Sequence, residues 1–411
     1  MDCTSKMTRR TLQAAVLVLA TSTTASAQEA GPGITDNSVR IGITGPLTGP
    51  VAVLSAVSEG VRARIEAVNA SGGVKMGDGK TRKIELIIED DSLDPQRTLA
   101  NVRKLSERDK VFAIAATSAT PNNQAIGRYT NRNGIPNVFM YSAVHELNGP
   151  EWEMGFVPAF STEAYAFVEY LKANKPDAKV AILALNTESG KIFSEAFTKR
   201  IEGTNIKILG RQQVTSADPT VETQLANLKA SGADTLVVIA GPRQGAEAVR
   251  FQAESGWKPT TLVSNIASSI PVLASVGLDN AKGIITSNFL KSVDSDQKSG
   301  IADVDQYLSD IAAAKVQFTY DNTIGQTGYT IGDALVTALE HTKAPTRQAL
   351  MDAVRNMDGW ESALLLEGIK LNTKVGSDVY PIEALQLFQF DGKRYLPVGG
   401  VLNFEGKTSQ N

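Results

Sequence analysis

The sequence is poor in cysteine and histidine, the two side chains most often used for metal binding and nucleophilic catalysis. It contains one cysteine, Cys3, and two histidines, His145 and His341. Cys3 falls within a predicted export signal, so the mature chain is expected to lack disulfides, a thiol nucleophile, thiolate metal ligands and a lipid-modified cysteine. The scarcity of imidazole, together with the lack of HExxH and GxSxG motifs, argues against a zinc site and against a Ser-His hydrolase.

The sequence has no apolar segment long enough to span a membrane, and its one notable apolar run, near the N-terminus, is short. Lys6, Arg9 and Arg10 precede an apolar run over residues 12–20, and Ala25-Ser26-Ala27 follows it. This order predicts a secretory signal peptide over residues 1–27, cleaved after Ala27, and therefore a periplasmic protein. The apolar run is about half of the roughly 20 residues that a membrane span needs, which argues against an anchor. Both the general and the twin-arginine export routes stay open.

The sequence has no strong excess of either charge. With 411 residues, 42% of them hydrophobic and 21% charged, it has the composition of a soluble protein with two domains. The predicted signal carries a net charge of +2, so its removal changes the formal charge from −3 to −5. A mildly acidic protein is not attracted to nucleic acid or to anionic membranes, and we expect neither as a partner.

Strand-like apolar runs alternate with helix-like segments along most of the chain. The first series predicts strands at 39–43, 83–88, 111–115 and 136–140, with helices near 54–69, 96–108 and from 121. The second predicts helices near 162–173, 190–201, 244–255 and from 220, with strands at 179–185, 206–214, 235–240 and 261–263. Further on, helices are predicted at 320–341 and 345–357, and a hairpin joins strands 384–390 and 395–401. The pattern predicts an α/β protein with two doubly wound parallel-sheet lobes.

The sequence of residues 111–125 predicts a buried strand that is followed directly by a helix. Thr120 is predicted to be the N-cap of this helix and Pro121 its first residue. The free N–H groups at a helix start attract anions, and Thr117, Ser118 and Thr120 place hydroxyls beside them. The alternative is an ordinary strand-to-helix turn with normal capping.

Two other segments could be mistaken for functional motifs. Residues 73–81 resemble a phosphate-binding loop, but Val74 stands where its first glycine is required, so a polar turn after a helix is predicted. Glu89-Asp90-Asp91 could form a catalytic acid group. The favoured interpretation is a solvated loop end whose carboxylates cap the helix that follows.

Polar residues remain mainly at the predicted strand ends. They are Thr44, Thr48, Thr117, Ser118, Thr120, Ser142, residues 186–190, residues 241–243, Asn265 and Ser268. In open α/β sheets, ligands bind beyond the carboxyl ends of the strands, so two lobes could present these loops across a ligand cleft. The residues supply hydroxyls, an amide and backbone donors rather than a base or nucleophile. The sequence therefore predicts a binding protein without a cofactor, not an enzyme.

Seven segments together resemble a known family over nearly all of the mature chain. They are VRIGITGPLTGP, SGGV, EDDSLDPQRTLANVRKL, ATPNN, KPDAKVAIL, DPTVETQL and FDGKRY, in this order. The chain resembles a periplasmic substrate-binding protein of the Leu/Ile/Val-binding (type I) kind. The resemblance implies a monomer whose two lobes, joined by three crossovers, close on a small ligand and present it to an ABC importer in the inner membrane. It also implies discontinuous lobes, one from residues 37–160 plus about 288–376, the other from 161–287 plus about 377–405.

The resemblance also implies which residues bind the ligand. In the first lobe Thr120 would place its hydroxyl on a ligand carboxylate beside Ala119 and Ser118, and the loop with Ser142 and Ala143 would add a second donor. In the second lobe the matching positions are Ser189, Gly241, Arg243 and Asn265.

Two of the second-lobe positions depart from the family pattern. Ser189 stands where an aromatic residue is usual, and Asn265 stands where amino-acid binders often place an acid for the ammonium. The predicted ligand is a small organic carboxylate, such as a branched-chain amino acid. The alternatives are an aromatic acid or amide without an amino group, which the neutral Asn265 and cationic Arg243 would suit, and a secreted amidase or hydrolase.

Overall fold

The structure is a computed structural model that describes residues 1, 30–142, 151–215, 218–293, 298–362, 364–373 and 380–407. The predicted signal peptide beyond Met1, with Cys3, lies outside the described residues, as do Ala143 and His145. Within the described part of the chain, no helix is both long enough and apolar enough to cross a bilayer.

The first half of the chain builds a six-stranded sheet. Its elements are β1 (Ser38–Gly45), α1 (Ser55–Ala70), β2 (Val74–Lys75), β3 (Thr81–Asp90), α2 (Pro95–Arg103), β4 (Ala113–Ala115), α3 (Thr120–Arg132), β5 (Asn137–Met140) and β6 (Glu153–Gly155). The strand order is β2-β3-β1-β4-β5-β6, and all neighbours are parallel except β2 and β3. The prediction of strand 111–115 is confirmed with a later start, and α2 continues as a π-helical turn, Lys104–Arg108.

The next part of the chain starts a second sheet. Its elements are α4 (Phe160–Asn174), β7 (Lys179–Leu185), α5 (Glu188–Arg200), β8 (Lys207–Val214), α6 (Glu222–Ala230), β9 (Thr235–Ile239), α7 (Pro242–Ser255), β10 (Thr260–Val263), α8 (Ile270–Ala274) and β11 (Ile285–Asn288). These strands pair in parallel, as covered strands alternating with helices do.

The remaining elements return to both sheets. They are α9 (Ala302–Ala313), α10 (Thr323–Glu340), α11 (Arg347–Val354), β12 (Asp358–Trp360), β13 (Leu371–Asn372), β14 (Ala384–Phe390) and β15 (Tyr395–Asn403). The strands β14 and β15 form the predicted hairpin and add antiparallel strands to the second sheet, whose order is β15-β14-β11-β10-β9-β7-β8. The pair β12 and β13 forms a separate two-stranded sheet.

The helix α10 packs closely against α1, although more than 250 residues separate Gly60 and Gly328 in sequence. A Cβ atom at Gly60 would lie 2.2 Å from the Gly325 carbonyl oxygen, and one at Gly328 would lie 2.1 Å from the Val57 carbonyl oxygen. Glycine is therefore required at both positions. A late segment of the chain thus lies against the first sheet, as discontinuous lobes require, although the predicted lobe boundaries stay a prediction.

The prediction of an α/β fold with two doubly wound parallel sheets is confirmed. In the first sheet β1 lies between β3 and β4, and in the second β7 lies between β8 and β9. Each of these places is a topological switch point, where chain connections leave to opposite faces of the sheet. Ligands of open α/β folds bind in the crevice beyond the strand ends at such points.

Candidate functional site

The start of α3 differs from the sequence prediction in one respect. Ala119, not Thr120, is the N-cap residue, and its side chain has no oxygen with which to cap the helix. Thr120 is instead the first helical residue, so its side chain is directed to a neighbouring strand end. The prediction of Thr120 as N-cap was wrong because the helix begins one residue earlier than the Thr-Pro pair indicates.

The Thr120 hydroxyl lies 3.1 Å from the Ser142 hydroxyl, and both residues are only 5% exposed. The backbone supports this contact, because the Ala119 N–H donates to the Tyr141 carbonyl oxygen at 3.2 Å. Ser118, which is buried, pairs with Tyr141 in an isolated parallel bridge. The structure therefore brings together Ser118, Ala119, Thr120 and Ser142, the first-lobe residues of the predicted site that it describes.

Ala119 has an unusual backbone conformation, with φ 68° and ψ 141°. This region of positive φ is unfavourable for a residue with a side chain and costs about 1–3 kcal/mol. Buried amides hold the loop in place, since the Asn123 side chain donates to the carbonyl oxygens of Thr117 and Ala119 at 3.1 and 2.9 Å. The Thr117 hydroxyl donates to the side-chain oxygen of Asn137 in β5 at 3.1 Å, which ties the loop to the neighbouring strand.

The acidic segment 89–91 is not a solvated cap, and that prediction was wrong. Asp91 is fully buried and accepts hydrogen bonds from the hydroxyls of Thr44 and Thr98, both at 3.0 Å. Burial raises the pKa of the Asp91 carboxyl. The residue that caps α2 is Asp94, which accepts from the N–H groups at its first turn. The carboxylates were misassigned because sequence alone does not show which of several neighbouring acids faces the interior.

Asp90 holds the turn that follows β1. It accepts from the backbone N–H of Leu47 at 2.9 Å and from the Thr48 hydroxyl at 2.7 Å. Thr44 and Thr48, predicted as polar strand-end residues, therefore support this loop through the two aspartates.

A small cavity lies between the carboxyl ends of the two sheets. Tyr141 contributes to its lining from the end of β5, and residues from α10 lie beside it. On the other side are Asn265 and Ser268, which follow β10, and Ser287 in β11. The cavity volume is about 50 Å³, which is room for a few water molecules. Of the predicted site residues that the structure describes, Asn265 alone lines this cavity.

The other predicted second-lobe residues follow the switch-point strands of the second sheet. Ser189 lies in the first turn of α5, buried, with its hydroxyl 2.7 Å from that of Thr187. Gly241 is the N-cap of α7. Arg243 donates to the Asp218 carbonyl oxygen, and its Nε lies 3.6 Å from the Glu247 carboxylate. Among the described residues, no hydrogen bond joins this set to the first-lobe set, and the ligand-binding assignment stays a prediction.

The family model described as "Periplasmic binding protein" matches residues 38–393 of the sequence. The chain belongs to the periplasmic binding protein family. This confirms the family resemblance drawn from the sequence. No curated protein sequence matches this binding protein significantly.

Solved structures with the same fold cover nearly the whole chain. A branched-chain amino acid ABC transporter protein from Thermus thermophilus with bound valine has a TM-score of 0.77 and 18% identity, and the match covers 89% of this chain and 97% of that one. A branched-chain amino acid transporter substrate-binding protein from Streptococcus pneumoniae, in complex with isoleucine, has a TM-score of 0.74, 16% identity and coverage of 89% and 100%. A fatty acid ABC transporter substrate-binding protein from Thermomonospora curvata has a TM-score of 0.75, 20% identity and coverage of 93% and 96%. At these identities the similarity establishes the fold.

Two residues near the cavity of this binding protein were missed by sequence reasoning. Tyr141 directly precedes Ser142 after a buried strand, a position that could have singled it out. Glu163, in the first turn of α4, is 3% exposed and accepts from Ser264, Asn265 and Ser287. No sequence signal marks Glu163, because its partners lie more than 100 residues away.

The side chains that meet at this edge of the protein are mainly hydroxyls and amides. Such groups bind carboxylates and other polar groups by hydrogen bonds. In the part of the chain that the structure describes, no three His, Cys, Asp or Glu side chains are grouped as a metal site. The geometry is suited to holding a small polar ligand.

Proposed function

We propose that this protein is exported to the periplasm, captures a small organic carboxylate between its two lobes and delivers it to an ABC importer in the inner membrane. The observation that carries the proposal is the buried pair of hydroxyls, Thr120 and Ser142, at the start of α3. The two oxygens lie 3.1 Å apart and come from the ends of neighbouring strands, β4 and β5.

The surroundings of this pair favour an anionic ligand group. No side chain caps the first turn of α3 within the described residues. This turn offers the backbone N–H groups of Thr120 and Asn122, because Pro121 has none and the Asn123 N–H donates to the Ala119 carbonyl oxygen at 3.1 Å. The positive end of the helix dipole adds to the attraction. The site also follows β4, which with β1 forms the switch point of the first sheet. A carboxylate bound here would accept from hydroxyls and backbone donors together.

The proteins of similar fold support the same ligand class. Valine, isoleucine and fatty acids are named for three of them, and each of these compounds carries a carboxylate. The rest of each ligand differs, so the carboxylate is the chemistry they share. We propose the same class for this protein, with a branched-chain amino acid as one candidate and an acid without an amino group as the alternative.

Two measurements on the mature, freshly purified protein test the proposal. Native mass spectrometry identifies any small molecule that co-purifies. Thermal unfolding is then followed with branched-chain amino acids, aromatic acids, dicarboxylates and the matching amides. A ligand at about 100 times its dissociation constant should stabilise the folded state by roughly 2.7 kcal/mol, whereas the matching amide should have little effect.

Recovery of the ligand provides the control for catalysis. We expect it to be recovered unchanged after long incubation, while a hydrolysed amide would identify the protein as an amidase instead. If no carboxylate in the panel alters the thermal transition, the proposed ligand class is wrong.

A further inference from the structure

The cavity between the two sheets is lined mainly by polar residues. Of the eighteen described residues that line it, only five are purely apolar: Val157, Ile270, Phe289, Val293 and Phe388. An alkyl group bound here would face polar groups that it cannot satisfy, which is unfavourable. The composition of the cavity therefore points to a ligand whose end in this cavity is polar.

Many of the polar side chains around the cavity already have partners within the protein. Ser287 donates to Glu163 at 2.6 Å, and Gln326 donates to the Tyr320 carbonyl oxygen at 2.8 Å. Thr327 donates to the backbone of its own helix, α10, at 2.7 Å. The hydroxyl and amide hydrogens of these residues are used to hold the wall of the cavity together.

Four other polar side chains of the lining are partly buried and differ in this respect. They are the Tyr141 hydroxyl, the Asn265 amide, the Asp321 carboxylate and the Thr323 hydroxyl. Within the described ranges of the chain, none of the four takes part in a hydrogen bond or an ion pair. A buried polar group without a partner costs free energy, so each of them favours a ligand that supplies one.

Tyr141 is directed by an irregular strand. In β5, Phe139 has a φ of 52°, which is unfavourable for a bulky side chain, and the pairing with β6 is irregular between Asn137 and Met140. Irregularities of this kind redirect nearby side chains and are common beside functional sites. Burial raises the pKa of the Tyr141 phenol, so its hydroxyl stays protonated at neutral pH and is able to donate.

The four free groups together need both a donor and an acceptor from the ligand. The Asn265 amide donates through its nitrogen, and the Asp321 carboxylate accepts, while the two hydroxyls can do either. A second carboxylate would be repelled by Asp321, and an ammonium would offer no acceptor to the Asn265 nitrogen. An uncharged group that donates and accepts at once, such as a primary amide or a hydroxyl, satisfies them.

The dimensions of the site favour a short ligand. The cavity volume of about 50 Å³ suits a small terminal group. Tyr141 directly precedes Ser142, whose hydroxyl lies 3.1 Å from that of Thr120 in the proposed carboxylate site. Consecutive Cα atoms are about 3.8 Å apart, so a chain of a few carbon atoms extends from the hydroxyl pair to the cavity.

We propose, on the basis of the function proposed above, that the ligand is a short carboxylic acid whose other end is an uncharged amide or hydroxyl group. Its carboxylate binds at the hydroxyl pair of Thr120 and Ser142, and its polar end binds in the cavity beside Tyr141, Asn265 and Asp321. The three cavity residues are specificity-determining, because they select the polar end over an alkyl group of the same shape.

The test measures binding of matched acids to the full mature chain by titration calorimetry. Malonamate, succinamate and glutaramate carry a carboxylate and a terminal amide at three chain lengths. Their alkyl counterparts of the same shape are 3-methylbutanoate, 4-methylpentanoate and 5-methylhexanoate. For the hydroxyl group, 4-hydroxybutanoate is compared with pentanoate and with 4-aminobutanoate, which replace the hydroxyl by a methyl group and by an ammonium.

We expect at least one amide or hydroxy acid to bind about tenfold or more tightly than its alkyl counterpart, because it makes several additional hydrogen bonds. The hydroxy acid should also bind more tightly than 4-aminobutanoate. Tyr141→Phe should weaken binding of the polar acid about three- to tenfold and leave the alkyl acid within about twofold. Asp321→Ala should weaken binding of the polar acid by about tenfold or more, because a hydrogen bond to a charged group is stronger.

Thermal unfolding of the ligand-free variants separates recognition from structure. Tyr141→Phe removes a hydroxyl that has no partner among the described residues, so the melting temperature should be unchanged, whereas a structural role would lower it and shift both affinities together. Tyr170→Phe is the matched control. Tyr170, in α4, is also partly buried, its hydroxyl has no partner within the described residues, and it lies outside the cavity lining, so neither affinity should change.

Three results would overturn the inference and leave the proposed function standing. They are alkyl acids that bind as tightly as their polar counterparts, tighter binding of 4-aminobutanoate than of 4-hydroxybutanoate, and an unchanged affinity for the polar acid in both Tyr141→Phe and Asp321→Ala. The inference is also wrong if another acid of the carboxylate panel binds and none of the amide or hydroxy acids does. Binding of none of these compounds, with no thermal shift across the carboxylate panel, would instead refute the proposed function.

Discussion

The hydroxyl pair of Thr120 and Ser142 can be tested by a substitution that keeps the side-chain shape. Thr120→Val replaces the hydroxyl by a methyl group of similar size, so packing around α3 should persist. The Ser142 hydroxyl, in a residue that is 5% exposed, then loses the partner that lies at 3.1 Å. An unsatisfied buried polar group costs about 1–3 kcal/mol, so we expect the free energy of unfolding of the ligand-free protein to fall by this amount.

Ligand binding should be affected separately. A hydrogen bond to a charged group contributes roughly 1.5–3 kcal/mol, so loss of the Thr120 hydroxyl should weaken carboxylate binding about ten- to a hundredfold. Thr120→Ser retains the hydroxyl and should retain most of the stability and the affinity. The double variant Thr120→Val with Ser142→Ala should lose less stability than the sum of the single variants, because it leaves no unpaired hydroxyl.

Urea denaturation of the ligand-free variants gives the first quantity, and titration calorimetry gives the second. The two readouts separate a structural contact from a ligand contact, because only the latter changes the dissociation constant. If Thr120→Val lowers stability but leaves the dissociation constant within about twofold, a difference of ~0.4 kcal/mol, the hydroxyl pair has only a structural role. It would then stabilise the packing of α3 against the end of β5 without contacting the ligand. The carboxylate would then bind elsewhere, and the site proposed here would be wrong.

Three further outcomes follow from single residues. Ala119→Gly should raise the free energy of unfolding of the ligand-free protein by about 1 kcal/mol, measured by urea denaturation. Glycine relieves backbone strain of about 1–3 kcal/mol, and this gain exceeds the entropic cost of the more flexible unfolded chain. A loss of stability would show that the loop is unstrained. Asp78→Ala leaves Arg82, 1% exposed, without its carboxylate and should cost about 3–5 kcal/mol, whereas a cost below about 1 kcal/mol would contradict burial of that pair. Because burial raises the pKa of Glu163, its favourable contribution is complete below the unfolded pKa and is lost as the pH rises through the folded pKa. The stability of Glu163→Gln relative to wild type should therefore increase from pH 4 to pH 7, and a constant difference would argue against ionisation.

Much of the fold could be predicted from the sequence because its signals are local. The alternation of apolar runs with amphipathic segments sets strand and helix order, and parallel pairing follows from the helical connections between strands. The hairpin at Asp391-Gly392 is also a short-range signal, and it appears as β14 and β15. The segments matched to the family are likewise contiguous stretches of sequence.

The first-lobe residues of the candidate site could be singled out for the same reason, although the contact that Thr120 makes with Ser142 could not. Thr120 was expected to cap a helix, because a Thr-Pro pair commonly begins one. The structure starts the helix one residue earlier and gives the hydroxyl a partner 22 residues away. A shift of one residue turns a helical side chain by about 100°, so the role of a residue at a helix start depends on where the helix actually begins.

The acidic residues show what the tertiary structure alone decided. Nothing in the order of residues distinguishes Asp91, which is buried and bonded to the hydroxyls of Thr44 and Thr98, from the less buried acids Glu89 and Asp90 beside it. Glu163 lies in an unremarkable helix, and its partners Ser264 and Ser287 are 101 and 124 residues away. Local sequence determines which segments become helices and strands. Which carboxylate is enclosed, and by which donors, is set only when distant strands come together in the sheet.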